Sequence, residues 1–162
     1  MQPTQAPDAS QQTITISQLG ERVDFIDTVS EIVKREWGHL LQPFGIFDPW
    51  DFRILKRDTS RFLVAHSGDM FVGMICLEDT YSIAKFRKQY SPCLCFLWVE
   101  AEWRNMGVGG LLLEVAVKAI KVGAEKSFLW CKEEEMRWFE LKGWRVEEEW
   151  RYAGINGFIL KR

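Results

Sequence analysis

The spacing of apolar residues along the chain changes between periods of two and nearly four, which predicts strands and helices in turn. Thr13–Ser17 alternates between polar and apolar residues and predicts a half-buried strand. Over Glu21–Trp37 the apolar residues recur every three or four positions, which predicts an amphipathic helix that ends at Gly38. Residues 1–12 are rich in Gln, Pro and Ser, and we expect them to form a disordered tail.

The centre of the chain predicts a hairpin, a connection and a buried strand. Phe62–Ala65 and Met70–Leu77 are apolar runs on either side of His66-Ser67-Gly68-Asp69, a pattern typical of a β-hairpin. Residues 78–92 form a longer polar connection. Cys93–Val99 is the most apolar run, and we expect it to be a central strand.

The last part of the chain continues the alternation of helices and strands. The predicted elements are a helix over Gly107–Val122 that Gly123 ends, a strand over Lys126–Cys131, a short helix over Glu134–Lys142 that Gly143 ends, and a final hairpin of Trp144–Tyr152 and Gly157–Leu160. Because a helix connects strands 93–99 and 126–131, these strands are expected to be parallel with a right-handed crossover. The order of elements predicts one mixed α/β domain over residues 13–162.

The segment His39–Asp58 is rich in aromatic residues for a loop. The residues in question are Phe44, Phe47, Trp50 and Phe52. Their presence has two interpretations, packing on the core or lining a substrate entrance, and the sequence leaves both open.

Composition narrows the classes of function. The 162-residue chain has a net charge of −2, so no basic excess points to nucleic acid or an anionic membrane as a partner. Its 4 cysteines contain no CxxC pair and it has only 2 histidines, so no metal site is predicted. No secretory signal is visible and no apolar run approaches the ~20 residues of a membrane span. We therefore expect a cytoplasmic protein with reduced cysteines.

A basic, glycine-rich turn between the central strand and the next helix is the strongest candidate for chemistry. Arg104, Gly107 and Gly109 stand where a strand passes into a helix, so free backbone N–H groups and the positive end of the helix dipole meet there. Such a turn suits a phosphate or pyrophosphate. A P-loop would continue with Lys and Ser or Thr, whereas Leu111 follows here, and a dinucleotide fold would place its glycines after the first strand. Without further context the glycines could equally well only ease the turn.

The residues around this turn resemble a known family. Leu97-x-Val99-x-Ala101-Glu102-Trp103-Arg104-Asn105-Met106-Gly107-Val108-Gly109 closely resembles the acetyl-CoA-binding motif of the GNAT superfamily of N-acetyltransferases, Leu-x-Val-x-Pro-Glu-Tyr-Arg-Gly-x-Gly-Ile-Gly. The segment from Met136 to Trp144 is similar to the family's Ala-x-x-Phe-Tyr-x-Lys-x-Gly-Phe, and Val72-Gly73-Met74 to its Val-Gly-Phe. The order of elements matches over residues 13–162.

The resemblance implies a mixed, mostly antiparallel sheet with flanking helices, in which strands 93–99 and 126–131 form a central parallel pair that splays apart around acetyl-CoA. It implies direct attack by a primary amine on the thioester, without a metal. The acceptor would be a small-molecule amine or a peptide, and homodimers are plausible. The implied cofactor-binding residues are Leu97, Trp98 and Val99 for the pantetheine arm, with the Val99 N–H on the thioester carbonyl, and Arg104, Asn105, Met106, Gly107, Val108, Gly109 and Gly110 for the pyrophosphate.

The sequence departs from the family pattern at the acid and base positions. Phe139 stands where the family usually has a Tyr near the CoA sulfur, Cys95 replaces a frequent acidic residue, and Lys132 falls nearest to the usual Asn. Glu100 at the strand end is the candidate general base, although a solvated carboxylate is the commoner role. Glu133 and Glu134 are interpreted as a solvated run. These departures keep a second hypothesis open, a GNAT-like module that binds CoA but is catalytically weak or inactive.

Overall fold

Strand and helix bounds come from a computed structural model that describes residues 13–41, 59–77, 88–120, 124–152 and 154–162. The strands are β1 Thr15–Gln18, β2 Phe62–Ser67, β3 Met70–Cys76, β4 Cys93–Val99, β5 Phe128–Lys132, β6 Arg145–Glu149 and β7 Gly157–Lys161. The longer helices are α1 Ile26–Leu41, α2 Val108–Ile120 and α3 Glu133–Glu140. The tail at 1–12, the aromatics at 44–52 and Gly123 lie outside the described residues.

The strands form one sheet in the order β1-β2-β3-β4-β5-β7-β6. β4 and β5 are parallel, and the other neighbouring pairs are antiparallel. The predicted hairpins β2–β3 and β6–β7 are confirmed, as is the parallel pair on either side of α2. The final hairpin inserts β7 next to β5, which leaves β6 at the edge of the sheet.

The first helix differs from its prediction at both ends. Leu19–Glu21 and Val23–Phe25 are 3-10 turns, so α1 begins only at Ile26. The predicted end at Gly38 is wrong, since α1 continues to Leu41. The physical reason is burial, because Leu40 beyond the glycine is 4% exposed and packing it outweighs the roughly 1 kcal/mol by which Gly disfavours a helix.

The other termini shift by a few residues. The strand predicted over 126–131 is β5 at Phe128–Lys132, and the helix predicted from Glu134 begins one residue earlier. The predicted last residue Lys142 is wrong, since α3 ends at Glu140. Gly143 still terminates the turn that follows, because it has a φ of +84° and the Trp144 N–H donates to the Phe139 carbonyl oxygen at 3.2 Å.

The two faces of the sheet carry separate hydrophobic cores. On one face α2 and α3 pack against the strands, and Leu112, Leu113 and Trp144 are almost fully buried there. On the other face α1 places Val29 and Val33 against Val64 and Met74. Since apolar residues on both faces of the central strands are buried, these strands are nearly continuous hydrophobic runs. In the described part of the chain no helix has the length and apolarity that crossing a membrane requires.

Candidate active site

A gap opens in the middle of the sheet between β4 and β5. The two strands pair only at Cys93 with Phe128 and at Leu94 with Leu129. Beyond these pairs β4 stays bonded to β3, and β5 stays bonded to β7. The splayed parallel pair that the family resemblance implied is therefore present.

A bulge in β4 lies where the two strands part. Cys76 is opposite Cys95 and Met74 is opposite Trp98, so β4 contains one residue more than β3 over this stretch. Phe96 has a φ of 55°, which is uncommon for a residue other than glycine. A bulge bends and twists its strand, and here it turns the end of β4 relative to β5.

A groove of about 610 Å³ extends from the gap to the glycine-rich turn. Among the residues that the sequence assigned to cofactor binding, those that line the groove are Leu97, Val99, Arg104, Asn105, Gly107, Gly109 and Gly110. Val108 is instead buried in the core, and Met106 is 52% exposed. The Trp98 side chain lies on the opposite side, 6.4 Å from the ring of Trp37.

The end of β4 presents backbone groups to the groove. The Glu100 N–H donates to the Val72 carbonyl oxygen at 2.9 Å, so Glu100 bonds toward β3. Because successive residues of a strand bond in opposite directions, Val99 bonds toward the gap. In agreement, the Val99 carbonyl oxygen accepts a hydrogen bond from Nε of Arg104 at 2.9 Å. The Val99 N–H shares this direction, as the prediction for the thioester carbonyl requires.

The first turn of α2 forms the other end of the groove. Gly107 has a φ of +84°, and its carbonyl oxygen accepts the Leu111 N–H at 3.0 Å, so the amides of Val108, Gly109 and Gly110 belong to the first turn. A Cβ atom added to Gly109 would lie 3.4 Å from the Trp138 ring. Lys142 is near Gly110, with Nζ 4.9 Å from the centre of the Trp138 ring. With Arg104, these groups give the groove a positive end that fits phosphates.

A second cavity of about 200 Å³ lies on the other side of the gap. Its walls include aromatic side chains, among them Trp37, Trp98, Trp130 and Tyr152. A smaller cavity of about 70 Å³ lies between it and the groove. Leu97 and Glu135 border all three spaces, so the gap connects one face of the sheet to the other at these two residues.

Glu135 is a residue of this site that the sequence did not single out, and Tyr152 carries a hydroxyl that no sequence signal placed here. Oε2 of Glu135 accepts the backbone N–H of Lys132 at 2.9 Å and so helps to begin α3. Tyr152 lies far along the chain, 8% exposed, and burial raises the pKa of its hydroxyl to about 12. The position of Glu135 three residues after a strand end is a capping pattern, which was the available signal for that residue.

Glu100, Phe139 and His66 have different positions relative to the two spaces. Glu100 follows β4, but the residues that line the groove and the second cavity include Val99 and not Glu100. Phe139 lines the groove, with its ring 5.0 Å from Trp138 and 6.4 Å from Trp144. His66 is part of β2, with Nε2 2.9 Å from the Ser17 hydroxyl and Nδ1 2.7 Å from Nη1 of Arg22. It is held by these polar neighbours rather than exposed to either cavity.

A protein with this sheet, this gap and this glycine-rich turn has the fold of a CoA-dependent acyltransferase. The sequence model of the acetyltransferase (GNAT) family matches residues 26–155, and the chain belongs to this family. No curated protein sequence matches the chain.

Solved structures show the same fold at low sequence identity. The PaiA N-acetyltransferase from Thermoplasma acidophilum in complex with coenzyme A has a TM-score of 0.64 and 18% identity over 93% of this chain and 98% of its own. Ard1 from Thermoplasma volcanium has a TM-score of 0.64 and 14% identity over 92% and 96%. An aminoglycoside 6'-N-acetyltransferase complexed with coenzyme A has a TM-score of 0.66 and 15% identity over 91% and 96%.

Proposed function

We propose that this protein is an N-acetyltransferase that transfers an acetyl group from acetyl-CoA to a primary amine by direct attack. The observation that carries the proposal is the gap between β4 and β5. It joins a groove with a positive end to an aromatic cavity, and both spaces meet at Leu97 and Glu135. Two substrates that enter from opposite faces of the sheet would meet there.

The groove residues fit the parts of acetyl-CoA. The amides at the start of α2, with Arg104 and Lys142, suit the pyrophosphate. The edge of β4 at Leu97 and Val99 has no β5 partner, so its peptide groups are suited to strand-like bonds with the amides of the pantetheine arm. Family membership supports this assignment, and two of the structures of similar fold contain coenzyme A.

The main contribution of the protein would be to hold the amine and the thioester together. Proximity and orientation are worth up to about 7–11 kcal/mol in well-oriented systems. The Val99 N–H would stabilise negative charge on the thioester oxygen as it develops. Acid–base assistance would add roughly 10²–10⁴-fold. Glu100, the candidate base from the sequence, lines neither the groove nor the second cavity, so this role would need another group at the gap.

Phe139 favours a second candidate function, a CoA-binding module with little or no catalysis. It has no hydroxyl group at the position where the resemblance implies a proton donor, and its ring lines the groove. Such a module would bind CoA through the same groove without accelerating transfer.

Two measurements test these functions. Acetyl-CoA at millimolar concentration should raise the melting temperature, because a ligand that binds only the folded state stabilises it. An unchanged melting temperature would contradict both functions. Release of CoA thiol with a panel of primary amines, measured above thioester hydrolysis, would support the enzyme, whereas a thermal shift without release would support the module.

A further inference from the structure

We infer that the second cavity binds the acceptor, that this acceptor is a small primary amine with a single ammonium group on an aromatic body, and that Glu135 receives its ammonium proton. This inference rests on the proposed function and specifies its substrate class. It combines the position of the cavity, its size, its aromatic walls and the arrangement of its charges.

The position of the cavity makes it the entrance for the acceptor. The groove with the glycine-rich turn takes the phosphates, and the smaller space between β4 and β5 leads to the second cavity. Glu135 faces this passage from the first turn of α3, and Leu97 faces it from β4. An amine in the second cavity can therefore approach the thioester through the gap.

The size of the cavity limits the acceptor. Sites for drug-sized ligands usually have volumes of about 300–1,000 Å³. The cavity here has about 200 Å³, so it admits a small molecule rather than a large one.

The aromatic walls select an apolar body with a positive end. Trp37 lies on α1, Trp98 on β4 and Trp130 on β5, so aromatic rings approach the cavity from three elements. The rings of Trp130 and Tyr152 are 5.5 Å apart, and the Nε1 atom of Trp130 donates to the Trp150 carbonyl oxygen at 3.0 Å, which fixes this wall. Aromatic rings of a ligand pack well on such walls, and ring faces also attract ammonium groups.

The charged groups around the second cavity favour a ligand with one ammonium group over a ligand with several. Glu36 and Glu135 face the cavity from α1 and α3, and Lys132 faces it from the end of β5. Glu36 is paired with Arg35 at 2.7 Å, which offsets its charge, whereas Glu135 has no ion pair among the described residues and uses only Oε2 to accept the Lys132 N–H. The second oxygen of Glu135 can therefore accept from an ammonium at the gap, and Lys132 would repel a second positive group of a polyamine.

Acetyl transfer at this position removes two protons from the ammonium group. The ammonium group gives one proton to the carboxylate of Glu135, which later returns it to solvent. The neutral nitrogen attacks the thioester carbonyl carbon, the C–N bond forms and the C–S bond breaks. The nitrogen loses its second proton as the CoA thiolate takes one up, and the products are the amide and CoA thiol.

A panel of amines tests the substrate class in the wild-type protein. 2-Phenylethylamine should have a kcat/KM at least about tenfold above those of butylamine, which lacks the ring, and spermidine, which carries several charges. Comparable or higher values for butylamine or spermidine would overturn the inference. If butylamine or spermidine is acetylated at least as efficiently as 2-phenylethylamine, the proposed N-acetyltransferase function stands while the inferred substrate class fails.

Binding measured without the acetyl group, so that no reaction occurs, tests directly how the cavity recognises the amine. With CoA in place of acetyl-CoA, 2-phenylethylamine should quench the fluorescence of the tryptophans around the cavity. Glu135→Gln should weaken binding of 2-phenylethylamine about tenfold and leave binding of the uncharged 2-phenylethanol unchanged, because Gln keeps an oxygen for the Lys132 N–H but lacks the charge. Equal weakening of both ligands would overturn the role of Glu135, since it would indicate a structural effect.

The kcat of Glu135→Gln, compared with that of a variant at a neighbouring residue, tests whether Glu135 is the base. Glu135→Gln should lower kcat with 2-phenylethylamine by at least about tenfold, in the range of acid–base assistance. Glu133→Gln, on the same helix and outside the residues that line the cavities, is the matched control and should retain the wild-type kcat. Equal kcat values for wild type and Glu135→Gln would overturn the assignment of the base.

Discussion

Arg104 donates a hydrogen bond from Nε to the carbonyl oxygen of Val99 at 2.9 Å, and this bond ties the glycine-rich turn back to the end of β4. The same guanidinium lies 4.7 Å from the centre of the Trp98 ring. One side chain therefore fixes the direction of the Val99 peptide and keeps a positive charge beside the groove.

Arg104→Ala should weaken CoA binding by about tenfold, because loss of a charge-assisted contact is worth roughly 1.5–3 kcal/mol and exposure reduces that value. Arg104→Lys keeps the charge but loses the planar donor, and should fall between wild type and Arg104→Ala. Titration calorimetry with CoA at two salt concentrations measures both effects. An unchanged dissociation constant in Arg104→Ala would remove Arg104 from the phosphate site.

Gly110→Ala should separate stability from cofactor binding. A Cβ atom there would lie 3.2 Å from Cε of Lys142, a flexible side chain that can move aside. Alanine favours a helix over glycine by up to about 1 kcal/mol, so the free energy of unfolding should stay equal or rise. The added methyl enters the groove and displaces Lys142, so affinity for CoA should fall. Urea unfolding and CoA titration of one preparation test both statements, and stronger CoA binding would contradict them.

Gly157→Ala should be among the most destabilising single substitutions. Its Cβ atom would lie 2.5 Å from the Cys131 carbonyl oxygen and from two Trp130 ring atoms, which no side-chain rotation relieves. We expect a loss of about 3 kcal/mol or more, the range of overpacked core sites.

Gly38→Ala is the matched control for that loss. In the described part of the chain, no atom outside its own helix lies within 4 Å of its added Cβ, so Gly38→Ala should stabilise the protein by about 0.5–1 kcal/mol. Urea unfolding compares the two variants, and a stable Gly157→Ala protein would mean that β5 and β7 are packed differently.

Alkaline solution should destabilise the protein through buried acids. Burial raises the pKa of the Cys131 thiol from 9.0 to about 12 and that of the Tyr152 hydroxyl from 10.0 to about 12. The unfolded chain releases these protons first, so their contribution to stability is complete below the unfolded pKa values and declines as the pH rises toward 12. Urea unfolding at several pH values between 8 and 12 should show this decline.

Cys131→Ala is the test of that cause. The variant should be less stable at neutral pH, because it leaves a small cavity, yet its stability should fall less steeply above pH 9. An equal slope in both proteins would assign the alkaline effect to other groups.

The residues that line the groove at the glycine-rich turn could be brought together from sequence because their signal is local. Gly107, Gly109 and Arg104 are adjacent in the chain, and a strand–turn–helix order is enough to place their backbone groups together. The bulge at Phe96, which opens the sheet beside them, has no such signal. Whether a strand holds an extra residue depends on the register of its partner.

The second cavity could not be predicted from the sequence for the opposite reason. Trp37, Trp130 and Tyr152 come from distant elements and meet only through packing of α1, β5 and the last hairpin. Glu135 looked like one of several acidic residues on a solvated helix. Gly38 shows the same limit. Its local signal predicted the end of the helix, but α1 continues to Leu41 because Leu40 is buried.

The extra residue in β4 has a consequence for the evolution and engineering of this fold. Since neighbouring strand residues point to opposite faces, the residues after the bulge are one step out of phase with those before it. Removal of Phe96 would place Cys95, Leu97 and Trp98 opposite Cys76, Ile75 and Met74. This register with β3 is uninterrupted and leaves Leu97 and Trp98 on their present faces. A single codon therefore separates the bulged strand from an uninterrupted one.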